Sequence, residues 1–216
     1  MEFPALLSAF PMKYHAFLSA FTINGVLVIC LNYVYNLIIL HNGYIIGGTM
    51  IQVQLTQIKE FMSHLLVTDT FDNFLLVEGE IVTFNKFTID GQIQKKYYAI
   101  GDELVENSLP EYSSWDKLKS YCYSIIKGQK PPLSFIFIFR IPDNMMESFL
   151  AKHISKDSLE NIQGLYMNIH YENQSLRITT GLSTKSFSLD DKDISMAWDK
   201  AFIDFIKQLE IPYESE

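Results

Sequence analysis

Residues 74–93, FLLVEGEIVTFNKFTIDGQI, alternate between apolar and polar side chains and constrain the fold more than any other part of the chain. Six of the odd positions are apolar: Leu75, Val77, Ile81, Phe87, Ile89 and Ile93. The even positions include the acids Glu78, Glu80 and Asp90. A period of two is the signature of a strand with one buried face. Asp90-Gly91 lies between β-prone runs, and both residue types tolerate the positive φ of a type I′ turn. The sequence therefore predicts a hairpin that turns at Asp90-Gly91, with one packed face and one face that carries carboxylates.

The rest of the chain contains further strand and helix patterns. Residues 51–55 predict a short strand, and apolar residues at helical spacing predict helices that begin near Thr56, Ser114 and Asp143. Residues 133–141, LSFIFIFRI, are apolar on both faces, which is typical of a central strand covered on both sides or partly covered at a dimer contact. Residues 164–171 alternate again, and residues 176–187 predict one strand or two. The clearest helix follows Asp193, with one apolar stripe: Ile194, Trp198, Phe202, Phe205, Ile206 and Leu209.

The order of these elements predicts an α+β protein, with a mainly antiparallel sheet and helices packed on it. Residues 51–128 and 133–210 each have the order strand, helix, strands, helix, and each half has 78 residues. This repetition suggests two βαββα halves, although the halves show no identity residue by residue. The alternative is a single α+β domain over residues 50–216 without internal symmetry.

Residues 1–49 differ in composition from the rest of the chain. Glu2 and Lys13 are the only charged residues among them, whereas the other 167 residues carry 40 charges. Residues 20–40 are uncharged and long enough to span a bilayer, although Asn24, Asn32 and Asn36 disfavour insertion. A membrane anchor through residues 20–40 is therefore one interpretation of this segment.

A second interpretation is that translation begins at Met50. The preceding residues, Ile46-Gly47-Gly48-Thr49, can be encoded as ATA GGA GGA ACA, which holds a bacterial ribosome-binding sequence just upstream of an ATG codon. The richness of residues 1–49 in Ile, Asn, Tyr, Leu and Phe is typical of translated AT-rich DNA between genes. We therefore expect residues 1–49 to be a mis-called extension of a cytoplasmic domain that starts at Met50.

Charge, cysteine content and motifs narrow the class of protein. The net charge of −8 argues against binding to a nucleic-acid backbone, because such binding needs a basic patch. Cys30 and Cys122 lie in apolar patterns that predict helices, and both are expected to be buried free thiols of a reducing cytosol. The sequence has no phosphate-loop, dinucleotide, zinc-protease or serine-hydrolase motif. It therefore predicts neither a cofactor nor a metal site.

The residues with the most chemical potential lie in predicted strands. Glu78 and Glu80 share one strand face, where two carboxylates can bind a metal or divide the roles of acid and base. Arg140 and Arg177 are the two arginines of the chain, and a buried pair of Arg140 with Glu78 or Glu80 would fix the fold or bind an anion. His170 and Arg177 are further candidates for ligand binding. For each of these residues, an ordinary structural role is the simpler interpretation.

Three segments resemble a known family: residues 83–93 (TFNKFTIDGQI), residues 69–81 (DTFDNFLLVEGEI) and residues 113–135 (SSWDKLKSYCYSIIKGQKPPLSF). They are similar to a family of domains of unknown function from anaerobic low-GC Gram-positive bacteria, and the resemblance covers residues 50–209. Members of that family begin near the equivalent of Met50, which agrees with a start there. The family has no established activity, cofactor or catalytic residue, so the resemblance implies none for this chain.

Three hypotheses for the function follow. The first is a non-catalytic intracellular domain that binds a protein partner or a small ligand, with a homodimer as one form. The second is a small enzyme that uses Glu78, Glu80 and Arg140. The third is the same interaction domain tethered to a membrane through residues 20–40. A concave pocket where the carboxylates and an arginine or histidine converge would favour the enzyme. A flat, solvated sheet face would favour the interaction domain.

Overall fold

The computed structural model describes residues 51–98, 109–154, 156–185 and 191–215. Before them it describes the backbone of four strands: β1 (Leu18–Ile23), β2 (Val26–Leu31), β3 (Leu37–His41) and β4 (Tyr44–Ile45). These strands form an antiparallel sheet in that order. The backbone of residues 20–40 is thus extended wherever it is described, and Cys30 lies in β2 rather than in the predicted helix. The predicted start at Met50 lies outside the described residues.

The rest of the chain builds a seven-stranded sheet. Its strands are β5 (Gln52–Leu55), β6 (Leu75–Val82), β7 (Lys86–Asp90), β8 (Ser134–Arg140), β9 (Ile162–Glu172), β10 (Ser175–Thr184) and β11 (Tyr213–Ser215). They lie in the order β11-β5-β10-β9-β8-β6-β7, and every neighbouring pair is antiparallel. Together with the helices described next, this confirms the predicted α+β architecture with a mainly antiparallel sheet.

The helices are α1 (Ile58–Leu66), α2 (Lys95–Tyr98), α3 (Trp115–Ile126), α4 (Asp143–Leu150) and α5 (Asp191–Gln208), with a 3₁₀ helix at Lys156–Asn161. Tyr97 and Tyr98 were expected to close the second strand of the hairpin, but they lie in α2. No helix in these parts of the chain combines the length and the apolar content of a membrane span.

The two halves repeat the order strand, helix, strand, strand, helix, with α2 added in the first half. Their strands do not pair in the same way, however. β8 of the second half lies between β9 and β6, and β5 of the first half pairs with β10 of the second. The two halves therefore share one sheet.

The core lies between this sheet and the four longer helices. Phe135, Phe137 and Phe139 of β8 project into it and are buried. Trp115 of α3 packs edge-on against Phe137 and Phe139, with ring centroids 5.2 and 5.0 Å apart. Four residues of the predicted α5 stripe are fully buried: Ile194, Trp198, Phe202 and Ile206. The prediction that this helix covers the core is therefore confirmed.

The second face of β8 is partly exposed, whereas one prediction had β8 covered on both faces. Ile136 on its second face is 37% exposed, and Ile138 is half-buried. β8 is nevertheless central, because it pairs with β9 on one side and with β6 on the other. We call this second face of the seven-stranded sheet the open face. The other prediction, a dimer contact, requires apolar side chains on this face.

The hairpin of β6 and β7 does not turn at the predicted place. Val82 pairs with Lys86, so the turn lies at residues 83–85. Gly91 does not adopt a left-handed φ; instead, a Cβ there would lie 1.7 Å from the carbonyl oxygen of Leu76, because the two backbones touch. A two-residue turn with positive φ does occur between β9 and β10, at Asn173 (51°) and Gln174 (60°). A glycine needed for close backbone approach gives the same sequence signal as a glycine needed for a turn.

A bulge in β6 decides which of its side chains face the core. The pairing with β8 shifts by one residue between Leu76 and Glu78. Leu76 is therefore buried, whereas Leu75 and Val77, predicted to be buried, are only half-buried. Beyond the bulge the alternation is as predicted, and Glu78 and Glu80 both lie on the open face.

Candidate functional site

The candidate residues lie on the open face, where the strand register aligns them in rows across the sheet. The Glu80 row runs from β7 to β5 as Thr88, Glu80, Ile136, His170, Arg177 and Gln54. The neighbouring Glu78 row runs as Asp90, Glu78, Ile138, Asn168, Thr179 and Gln52. Direct cross-strand neighbours have Cβ atoms about 4.5–5.5 Å apart, so side chains within a row interact. The structure thus brings Glu80, His170 and Arg177 into one row, a relation that the sequence alone did not reveal.

Three carboxylates lie together at the β6–β7 side of the open face, and we call Glu78, Glu80 and Asp90 the acidic end. Glu80 forms an ion pair of 2.6 Å with Lys86. Burial raises the pKa of Glu78, and the charges of Asp90 and Glu80 raise it further, whereas Lys86 lowers it. The surroundings therefore disfavour the charge of Glu78. A cation brought to the acidic end would stabilise that charge.

Arg177 lies on the other side of the open face, exposed and directly beside His170. Within the described ranges, its guanidinium has neither a hydrogen bond nor an ion pair. Burial lowers the pKa of His170, Glu172 at 4.0 Å raises it, and the charge of Arg177 lowers it. The lowered pKa keeps the imidazole mainly neutral at pH 7. Arg177 is thus an exposed cation that has no ion-pair partner among the described residues.

Arg140 lies at one end of β8, opposite Leu75 and Tyr166. Its side chain is 15% exposed. Its Nη2 donates to Oδ1 of Asp143 at 2.6 Å and to the carbonyl oxygen of Gln163 at 3.0 Å. β6 and β8 are sheet neighbours, as a contact with Glu78 or Glu80 would need. The register nevertheless sets Arg140 against Leu75, and Asp143, three residues further along the chain, is its ion-pair partner.

Two tyrosines that the sequence reasoning missed accompany Arg140. A Cβ at Gly164 would lie 2.9 Å from Cε2 of Tyr166 and 3.0 Å from Nε of Arg140, so the missing side chain makes room for both. Burial raises the pKa of Tyr166, although Arg140 lowers it, and burial also raises the pKa of Tyr112. Both phenols therefore stay protonated at neutral pH. No spacing in the sequence links these residues, because only the register of β8 and β9 and the path of residues 111–115 bring them together.

A cleft of about 200 Å³ lies elsewhere, beside α4 and α5. Its lining is Ser148, Phe149, Lys152, His153, Ala201, Asp204, Phe205 and Gln208. Nε2 of His153 lies 3.5 Å from Oδ2 of Asp204, and the histidine side chain is only 9% exposed. The hydroxyl of Ser148 donates to the carbonyl oxygen of Met145 at 2.7 Å. The cleft is smaller than the roughly 300–1,000 Å³ of typical ligand pockets, and it contains none of the five chemical candidates, Glu78, Glu80, Arg140, His170 and Arg177.

The described residues offer little for metal or thiol chemistry. In that part of the chain, no three His, Cys, Asp or Glu side chains are grouped closely enough to hold a metal ion. Burial raises the pKa of the Cys122 thiol to about 12, so the thiol stays protonated at physiological pH. Because the thiolate is the nucleophile, Cys122 is a poor one.

Comparison with known proteins identifies a family. A family model matches residues 64–214, from α1 to β11, and so includes all the candidate residues on the open face. No curated protein and no solved structure matches the chain. The resemblance to a family without a known activity is thereby confirmed. Since the match extends over more than half of the sequence, the chain belongs to DUF5721, a family of unknown function.

Proposed function

We propose that this chain is a non-catalytic intracellular domain that binds a protein surface through the open face of its sheet. The proposal rests on the positions of the candidate residues. Glu78, Glu80, Arg140, His170 and Arg177 are spread over four strands of one sheet face. Catalysis needs its groups to converge around a reacting atom. The cleft beside α4 and α5 contains none of the five.

The open face has the mixed character of a protein interface. Interfaces combine an apolar centre with polar and charged surroundings. Ile136 and Ile138 lie in β8, between the acidic end and Arg177. This distribution suits a polypeptide that presents apolar side chains to β8 and a cation to the acidic end.

The face is close in size to one side of a standard protein interface. Six strands from β5 to β7, about 4.8 Å apart, and a length of seven residues for β8 at about 3.3 Å each give roughly 650 Å² of flat area. A standard interface uses about 800 Å² on each partner.

The cytoplasm is the proposed location, because Cys122 is a buried free thiol of the kind found in reducing compartments.

Photo-crosslinking in cells tests this proposal. Benzoylphenylalanine at Ile136 of the full chain is expected to give a discrete protein adduct on irradiation. The same group at Tyr121, which is 67% exposed on α3, should not give that adduct. Glu78→Lys should weaken the Ile136 adduct, because it repels the cation that we assign to the acidic end. No adduct from Ile136, or the same adducts from both positions, would overturn the proposal.

A further inference from the structure

We infer that the protein bound by the open face is a second copy of this chain, packed face to face in a two-fold symmetric dimer. This inference rests on the proposed function and names its partner. It begins from two opposite charges that have no ion-pair partner within the described part of one copy. Glu78 shares the acidic end with two other carboxylates, and the one cation there, Lys86, is paired with Glu80. Arg177 is exposed and has no acceptor among the described residues.

The strands that carry these two charges lie at mirror positions of the sheet. β10 and β6 are equally distant from the boundary between β9 and β8. A two-fold axis that runs parallel to the strands along this boundary lays β10 of one copy over β6 of the other. The same operation keeps each row facing itself. Arg177 of one copy then faces Glu80 of the second copy, and Glu78 lies two residues away along the strand, at about 7 Å.

The reach of an arginine side chain includes both glutamates. Twisted sheets that pack face to face are rotated by about 30° relative to each other, so the rows diverge away from the axis. Glu78 and Glu80 together present carboxylates over that range of positions. Because the interface is isologous, each dimer contains this contact twice.

The remaining residues of the two rows also match under this operation. Ile136 faces His170 of the second copy, and Ile138 faces Asn168. The mainly neutral imidazole of His170 can accept an apolar neighbour without burying a charge. At the margins, Thr88 of β7 faces Gln54 of β5, so polar side chains meet polar side chains. An unrelated partner would have to supply an arginine and a carboxylate at this same spacing, whereas a second copy carries both.

Sedimentation of the full chain with charge-reversed variants tests the dimer. The unaltered chain is expected to sediment as a concentration-dependent dimer. Glu78→Arg alone and Arg177→Glu alone should each weaken dimerisation at least tenfold, because each places like charges at both contacts. An equimolar mixture of the two variants should recover the dimer, because a mixed pair has unlike charges at both contacts. Circular dichroism on each variant establishes that it is folded.

Several results would overturn the inference. One is that the unaltered chain is a monomer at every soluble concentration. The others are a dimer that neither charge reversal weakens, and a mixture of the two charge-reversed variants that fails to form a dimer. Ile136→Asp provides a second variant that acts through the apolar centre and not through the charges, and it should also give a monomer. A dimer unaffected by Ile136→Asp would contradict packing through the open face.

The cross-linking experiment separates this inference from the proposed function. An adduct of the chain with itself from Ile136 supports both. An adduct with a different polypeptide, together with a monomer in sedimentation, supports the proposed function and overturns the dimer. A cross-link from Ile136 to residues 1–49 of the same copy overturns both, because the open face would then be covered by its own chain.

Discussion

Glu78, a residue of the open face, lowers the stability of the folded chain when its carboxyl group is charged. Burial and two neighbouring carboxylates raise the pKa of Glu78 above its value in the unfolded chain, which is about 4.3. A carboxyl group of this kind destabilises the folded protein once it is ionised. The penalty is absent below the unfolded pKa and fully present above the folded pKa. Residues that lower stability in this way are characteristic of binding sites, where function opposes stability.

Glu78→Gln should therefore stabilise the monomer at pH 7, raising its thermal midpoint by a few degrees. The advantage should shrink as the pH falls through the folded pKa of Glu78. It should disappear below about pH 4, where the Glu78 carboxyl group is protonated in the folded and in the unfolded chain. Glu80→Gln is the matched control, because it removes the ion pair with Lys86 and should not stabilise. Thermal unfolding at high dilution over a series of pH values measures both variants. A lower midpoint for Glu78→Gln at pH 7 would show that the Glu78 charge is well accommodated.

Just after β7 the chain touches the backbone of β6, and this contact between elements depends on Gly91. The Cβ of an alanine there would lie 1.7 Å from the carbonyl oxygen of Leu76 and 2.6 Å from its carbonyl carbon. Both are backbone atoms of β6, which cannot move without breaking the pairing with β8. The amide of Gly91 also donates to the carbonyl oxygen of Val77 at 3.0 Å. This contact therefore has no room for any side chain.

Gly91→Ala should destabilise the fold by about 3 kcal/mol or more, at the upper end of what overpacking costs. Gly128→Ala is the control, because its Cβ would meet nothing closer than 3.7 Å. That substitution should be neutral or stabilise by up to about 1 kcal/mol, since it restricts the unfolded chain. Urea unfolding of the two variants gives the comparison. Equal stabilities would mean that the backbone of β6 yields to the added methyl group.

The sequence predicted elements better than their contacts. The alternation in β9, the alternation in β6 beyond its bulge, and the stripe of α5 identify most of the buried side chains, because burial leaves a period of two or 3.6 in the sequence. It does not predict the bulge at Val77, since one extra residue shifts the pairing without changing the local pattern. The partner of Arg140 could have been considered, because Asp143 is three residues away. The proximity of Tyr112 to Arg140 could not have been predicted, because it depends on pairing between distant segments of the chain.

For the whole molecule, sheet order is what the sequence could not supply. The two halves have the same element order, yet β8 of the second half separates β9 from β6 of the first half. Pairing between strands that lie far apart in the chain leaves no local signature, so the pattern predicted the halves and not how they join. β5 also relies on the second half, since it pairs with β10 of that half and with β11, which follows it. Neither half has a complete sheet of its own.

The chain should therefore unfold as one cooperative unit. The two tryptophans of the sequence report the halves separately, because Trp115 lies in the first half and Trp198 in the second, and both are buried. In a chain labelled with 5-fluorotryptophan, the fluorine NMR signals of the two residues should lose their native intensity at the same urea concentrations, as expected for a two-state domain. Trp115→Phe and Trp198→Phe assign the signals. If one native signal persists after the other has vanished, the halves unfold independently. The shared sheet would then contribute little to holding them together, despite the position of β8 between β6 and β9.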